Sequence, residues 1–307
     1  MSFIQSLLEN HPIRKTKAQK AAFRQWFAEE ARKLGYETME EKASFSCNVI
    51  AGNPETAAVT YTAHYDTPPV MPVPNFITPK NVLVYLLYQM LIVLLFIIVT
   101  MGVGILAGWL TKEPAIGALA AMVAYFVLFG MLMFGPANKN CANDNTSGVA
   151  AVMEIMSRIP EEARGKAAFI LFDNEEKGLL GSSGYASKHK EVRKNKLIIN
   201  LDCVGDGEHM LFIAKKKIRK QPEWALLEQV MGAQQGRVLH MENEESCVYP
   251  SDQANFKRGI AVCACNKMKV IGYYVDKIHT KKDTVCNQEN MDYLGEGLSR
   301  FAVEFEA

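Results

Sequence analysis

Three short apolar runs along this chain each end abruptly in side chains that can hold a metal or move a proton. No other feature constrains the fold as much. Ala57–Ala63 runs into His64-Tyr65-Asp66, Ala167–Phe172 into Asp173-Asn174-Glu175-Glu176, and Lys196–Leu201 into Asp202. Nearly continuous, β-branched runs of this length predict strands of a sheet covered on both faces. In an open α/β sheet, strands that finish along one edge deliver the residues after them into a common crevice. The chain is therefore expected to form one α/β domain with one site, assembled from positions far apart in sequence.

Two further residues join that set. Asp144 lies in the segment NDNTSGVAAVMEIMSRI, where Val149, Val152, Ile155 and Met156 recur at helical spacing behind an acidic start. An isolated aspartate there would be read as an N-cap. Beside strand ends that carry matching ligand types, it is expected instead to serve the site from a helix start. His279 closes the series.

The inventory suits zinc, which in catalytic sites takes imidazole nitrogen and carboxylate oxygen and keeps a position open for water or substrate. Two zinc ions carry four positive charges. Asp144, Asp202 and Glu176 with one bridging hydroxide balance them, and His64 and His279 serve as neutral ligands, one per ion. Glu175 is left free to act as general base toward the bridging water. Asp66, two residues past His64, is placed to orient that imidazole.

The segments AHYD, CANDNTSGVA, FDNEEKGLLGS, NLDCVG, SDQANF and KIHTKKDT resemble, in order, the motifs of metallopeptidase family twenty-eight, the co-catalytic di-zinc exopeptidases of the leucyl aminopeptidase and aminopeptidase Y type. The resemblance implies a three-layer αβα fold around a central mixed, largely parallel sheet. It implies that His64 and Asp202 complete one zinc site, Glu176 and His279 the other, and that Asp144 bridges them, with Glu175 as general base and Asp66 as the orienting acid. Another divalent metal would suit the same ligands. Where many relatives carry Ser-Asp-His, this chain has Ser251-Asp252-Gln253.

The second departure is an insertion. The 77 residues from 67 to 143 separate Asp66 from Asp144, and most are apolar. Asn81 to Thr111 holds no charged residue; after Lys112-Glu113-Pro114, Ala115–Phe134 is again uncharged. About 20 apolar residues cross a bilayer, so residues 82–134 are expected to form a transmembrane hairpin, with the first helix tilting or breaking near Gly102, Gly104 and Gly108. Tyr85, Tyr88 and Trp109 suit the interfaces. The domains are then a peptidase domain of 1–80 and 138–307 and a hairpin of 81–137. The competing expectation is a hairpin buried inside the domain.

A hairpin returns the chain to its starting side. Lys15, Lys17, Lys20, Lys80 and Lys139 flank the spans, whereas the turn offers only Lys112 beside Glu113; this favours a cytoplasmic catalytic domain. The N-terminal segment lacks the uninterrupted apolar core of a signal peptide, and seven cysteines without paired spacing suit reduced thiols. A net charge of +1 without a long basic run argues against a nucleic-acid partner. The expected activity is removal of N-terminal residues from peptides, with Tyr249 or Tyr274 assisting at the oxyanion. Carboxypeptidase or dipeptidase action, glutaminyl cyclisation and non-catalytic binding are the alternatives.

Overall fold

The computed structural model describes residues 2–43 and 45–306. In chain order it holds α1 (Phe3–Asn10), α2 (Lys17–Lys33), β1 (Thr38–Ala43), β2 (Ser46–Ala51), β3 (Val59–His64), α3 (Val82–Thr111), α4 (Pro114–Phe134) and α5 (Gly148–Arg158). Then follow β4 (Ala167–Phe172), α6 (Leu180–Lys188), α7 (Lys190–Asn195), β5 (Leu197–Leu201), β6 (His209–Ala214) and α8 (Pro222–Gly232). β7 (Val238–Asn243), β8 (Gly259–Met268), β9 (Gly272–Tyr274) and α9 (Gln288–Glu304) complete it. The three strands expected from the apolar runs are β3, β4 and β5. Near the N-terminus, α2 is started by a capping box in which Thr16 and Gln19 satisfy each other's backbone amides.

The sheet runs β1-β2-β4-β3-β5-β8-β6-β7, with β9 paired to β8. Its middle is parallel, β3 lying between β4 and β5 and β5 beside β8. Antiparallel pairs join β1 to β2, β2 to β4 and β6 to β8. Side chains alternate across it. Phe169 and Leu171 enter the large core with α1, α2, α5, α8 and α9, while Ile170 and Phe172 pack with Tyr185 and Val192 on the opposite face. That is the three-layer αβα arrangement.

Register sets the site. His64 pairs with Phe172 and Thr62 with Asn200, so the residues after β3, β4 and β5 leave the sheet at one level, next to each other.

The insertion folds as two apolar helices. Asn81 caps α3 by accepting the Val84 N–H at 3.2 Å, Lys112 takes a left-handed turn at φ 59°, and Pro114 opens α4, where its missing N–H costs nothing. The helix α3 is unbroken. Gly104 and Gly108 serve contact with α4 instead: a Cβ on Gly117 would lie 2.7 Å from the Gly104 carbonyl oxygen and 3.1 Å from the Gly108 Cα, the small-residue packing that lets apolar helices approach closely. Both helices are long and apolar enough to cross a membrane, and only 11% and 6% of their most apolar windows are buried. They do not fill the domain core.

The roots of the hairpin are stitched to the domain. Pro69 bridges to Ala137 and Ile77 to Val275. The Val70 amide donates to Pro136 at 2.8 Å, and the Tyr88 hydroxyl to the Pro74 carbonyl at 2.7 Å. Tyr85 packs against a core cluster of the domain. These two tyrosines dock the hairpin to the domain.

Candidate active site

His64 is the last residue of β3, Asp202 follows β5, and Glu175 and Glu176 form a short turn after β4. Asp144 departs from expectation in its local structure. It does not start a helix; it sits in an irregular turn, Ala142–Ser147, with φ −108° and ψ 96°, and α5 begins only at Gly148. Asn145 provides the helix entry, its Oδ1 accepting the Gly148 amide at 2.9 Å. The extended backbone frees the Asp144 carboxylate to reach sideways.

The reach is two-sided. Oδ1 of Asp144 lies 3.2 Å from Nε2 of His64, and Oδ2 lies 3.0 Å from Nε2 of His279. Oδ1 of Asp202 approaches His64 Nε2 at 3.7 Å, and Oε2 of Glu176 approaches His279 Nε2 at 3.4 Å. Two overlapping triads result, His64-Asp144-Asp202 and Asp144-Glu176-His279, each with ligand atoms within 4.8 Å of one another. Glu175 joins the cluster through His64 and Glu176. All seven residues singled out from the sequence converge here.

Asp66 acts twice. Its backbone carbonyl lies 3.2 Å and its Oδ1 3.6 Å from Nδ1 of His64, so the ring presents Nε2 to the cluster. The same Oδ1 accepts the Glu175 amide at 3.0 Å, which fixes the turn that carries both glutamates. Behind that turn, Lys20 pairs with Asp173 at 2.5 Å and donates to Asn174 at 2.7 Å, all three buried.

Several positioning residues have roles that the sequence analysis did not assign. Asp283, inside the KIHTKKDT segment, accepts the Asn143 amide at 2.7 Å and the Asp144 amide at 3.0 Å. Ser251 donates to Oδ2 of Asp202 at 2.5 Å. Arg14, fully buried, donates to the Tyr65 and His11 carbonyls and to Thr146. It ties the N-terminal segment to the end of β3 and to the Asp144 turn. A buried arginine in HPIRKT reads in sequence as a solvated charge.

Gln253 is buried. Its amide accepts from Asn200 at 3.2 Å and donates to the Tyr249 carbonyl at 2.7 Å, beneath the site. The Tyr249 hydroxyl is directed to the Asp202 carbonyl at 3.3 Å, and the Tyr274 ring lies tilted against Phe76 with centroids 6.1 Å apart.

The electrostatics test whether cations suit the cluster. Burial pushes the Glu176 carboxyl well above the usual carboxylate range, and the charge of Asp144 adds to that rise. Burial raises Glu175 likewise, against the pull of His64 and with the charge of Glu176 added. Asp144 would also rise on burial, but hydrogen bonds from His279 and His64 hold it below the usual range. Oε1 of Glu176 and Oδ1 of Asp202 are buried with no hydrogen-bond partner. Such atoms are costly unless something positive meets them, and the imidazole and carboxylate donors fit zinc.

A profile of Peptidase family M28 matches residues 127–301, more than half of the chain. The chain belongs to Peptidase family M28. The matched stretch includes Asp144, Glu175, Glu176, Asp202 and His279, while His64 and Asp66 precede it. Aminopeptidase YwaD of Bacillus subtilis (strain 168) is 39% identical over 69 residues, 21% of this chain and 15% of the relative's length. A Zn-dependent exopeptidase from Parabacteroides distasonis superposes with a TM-score of 0.62 at 16% identity, covering 99% of both chains. Glutaminyl cyclase from Porphyromonas gingivalis gives 0.61 at 19% identity over 97% of this chain and 94% of that one. LapA aminopeptidase from Legionella pneumophila gives 0.58 at 16% identity over 99% and 72%. At these identities the structural likenesses establish a shared fold.

Proposed function

We propose that this family member is a membrane-anchored di-zinc aminopeptidase that removes N-terminal residues from peptides. The carrying observation is the carboxylate of Asp144, whose two oxygens face His64 and His279 separately. In this reading His64, Asp144 and Asp202 hold one ion, Asp144, Glu176 and His279 the other. The bound pair would supply Lewis acidity toward the scissile carbonyl and make a water easier to deprotonate.

The protein's own contribution is positional. Glu175, anchored through its amide to Asp66, takes a proton from the attacking water and returns it to the leaving nitrogen. Asp66 fixes the His64 ring, Asp283 fixes the backbone that carries Asp144, and Ser251 fixes the carboxylate of Asp202. The hairpin, residues 81–137 between the two parts of the peptidase domain, is the anchor. Its exposed apolar faces support membrane insertion over burial, and the lysines at its roots favour a cytoplasmic catalytic domain.

The deciding experiment is hydrolysis of a library of aminoacyl and N-blocked peptides by detergent-purified protein, with metal content measured on the same sample. Release of free N-terminal residues from unblocked peptides alone is the expected result. Release from the C-terminus would assign a carboxypeptidase, and ring closure of N-terminal glutamine without hydrolysis would assign a cyclase. Metal binding with neither reaction would leave a binding protein.

A further inference from the structure

A cavity of about 230 Å³ opens directly off the carboxylate–histidine cluster, and its walls belong to two different parts of the molecule. Glu176 and His279 form its inner end. Tyr88, Gln89 and Ile92 of α3 and Leu132 of α4 form the outer end, and the Pro69–Asn75 segment forms a side. The Met71 amide donates to the His279 carbonyl at 2.7 Å, so this side wall is tied to the site itself.

A second, open groove of about 290 Å³ lies next to the first, and Ile92 and Leu132 line both. It runs between α3 and α4 past Phe96, Ile97, Tyr125 and Phe129 to Thr100. The only hydroxyls along it are those of Thr100, which is spent on the Ile97 carbonyl at 3.0 Å, and Tyr125. No charged side chain lines it.

The position of this groove in a bilayer follows from helix length. Counting back about 20 residues from the turn at Lys112-Glu113, the span of a hydrocarbon core, reaches Ile92 on α3 and Phe134 on α4. At about 1.5 Å per residue, α3 is ~45 Å long, so roughly its first ten residues stand above the hydrocarbon, where Tyr85 and Tyr88 dock on the domain. The first cavity therefore straddles the boundary, with Glu176 and His279 on the aqueous side and Ile92 and Leu132 at the edge of the hydrocarbon. The second lies inside it. From Tyr88 to Thr100 the groove follows α3 for about 18 Å.

We infer that the groove takes a long aliphatic chain attached beside the scissile amide, so that the substrate class is a lipid-bearing aminoacyl compound or peptide drawn laterally from the bilayer. This rests on the peptidase reading of the site. An occupant must be polar where it meets Glu176 and His279 and apolar beyond Ile92, and a single amphiphile with its amide at the boundary satisfies both. A short soluble peptide would leave the second cavity to lipid tails. The chain can sit on the acyl side, as the side chain of the N-terminal residue, or on the amine side that leaves.

The test uses the full chain in nanodiscs and three substrates: alanyl-alanine, α-aminohexadecanoyl-alanine and alanyl-hexadecylamide. One long-chain substrate should exceed alanyl-alanine in kcat/KM by about tenfold or more, as expected for a chain that raises the local concentration of its amide. Which one does so identifies the side that carries the chain. Bilayer partition alone would produce the same advantage, so the groove is then blocked with Ile92→Trp or Leu132→Trp. The long-to-short ratio should fall toward one, while Val123→Trp, on the exposed outer face of α4, should leave that ratio as it is. A ratio near one in the unmodified protein, or a ratio untouched by both blocking variants, overturns the inference and leaves the peptidase reading standing. If none of the three substrates is cleaved, the peptidase reading fails and binding is read directly. A diazirine-bearing hexadecylamine should then label Ile92, Phe96 or Leu132 and be displaced by α-aminohexadecanoate. Even labelling over the outer faces of both helices overturns the groove. The photolabel serves equally if a tryptophan variant fails to fold.

Discussion

Asp283 holds the backbone of Asp144 by accepting its amide at 3.0 Å, while its other oxygen accepts the Asn143 amide at 2.7 Å. The residue that faces both histidines is thus set by a carboxylate that touches neither. Asp283→Asn keeps the shape but turns one acceptor into an N–H facing another N–H. Metal affinity should fall by about 10–100-fold, the usual effect of removing a group that orients a ligand, with the circular dichroism spectrum unchanged. Chelator competition measures it, and an unchanged affinity would remove Asp283 from the site.

Glu175 and Glu176 are neighbours with different surroundings, and isosteric substitution should separate them. Glu175→Gln abolishes proton acceptance but leaves both triads intact. Metal content should persist while turnover drops by about 10²–10⁴-fold. Glu176→Gln should instead weaken one ion. Identical losses of metal and rate in the two variants would contradict the assigned roles.

The site was legible in sequence because its chemistry lies at strand ends, where a run of apolar residues stops and a His, Asp or Glu follows at once. His64, Glu175, Glu176 and Asp202 carry that signal. Asp144 was found by ligand type but misplaced in local structure, since a helix pattern beginning near it hides the extended turn that precedes Gly148. The roles of Asp283, Ser251 and Arg14 were not legible, although the first two lie inside the KIHTKKDT and SDQANF segments. Their importance comes from hydrogen bonds to distant residues, such as Arg14 to Tyr65 at a separation of 51, Ser251 to Asp202 at 49 and Asp283 to Asp144 at 139, and no local pattern encodes such contacts. The hairpin was legible from the absence of charge. That Gly104 and Gly108 pack α3 on α4 rather than breaking α3 depended on which faces meet.

Metal stoichiometry checks the bridging arrangement. Protein purified gently with zinc present should approach two ions per chain, and Asp144→Ala should lose most of both, because each triad includes that carboxylate. Elemental analysis with titration of a weak site is the measurement. A protein that never holds more than one ion under zinc-replete conditions contradicts the arrangement.

Lys20 and Asp173 form a buried pair behind the glutamate turn, their side chains only 7% and 6% exposed. Lys20→Met strands the Asp173 carboxylate, which retains the Cys47 amide at 2.9 Å. Removing one partner of a buried pair costs about 3–5 kcal/mol, so the denaturation midpoint should fall clearly. Lys20→Met with Asp173→Asn should recover much of the loss, since no unpaired charge is left. Equal destabilisation by the single and double variants would mean that the loss lies in packing.

The membrane reading makes the most separable prediction. Gly117 lies against Gly104 and Gly108 with no room for a side chain, whereas the outer faces of both helices are exposed and apolar. The intact protein should resist alkaline carbonate extraction. Replacing Asn81–Gly135 by a short Gly/Ser link should give a soluble protein that still binds zinc, because His64, Asp66, Asp144, Glu175, Glu176, Asp202 and His279 all lie outside the hairpin. Cleavage of small peptides should persist in it, while cleavage of bilayer-held substrates should fall. Gly117→Leu should spread the helices without releasing the protein, because insertion depends on apolar length and packing depends on the small-residue contact. Full release by carbonate, or loss of zinc when the hairpin is removed, would show instead that the hairpin is part of the folded core.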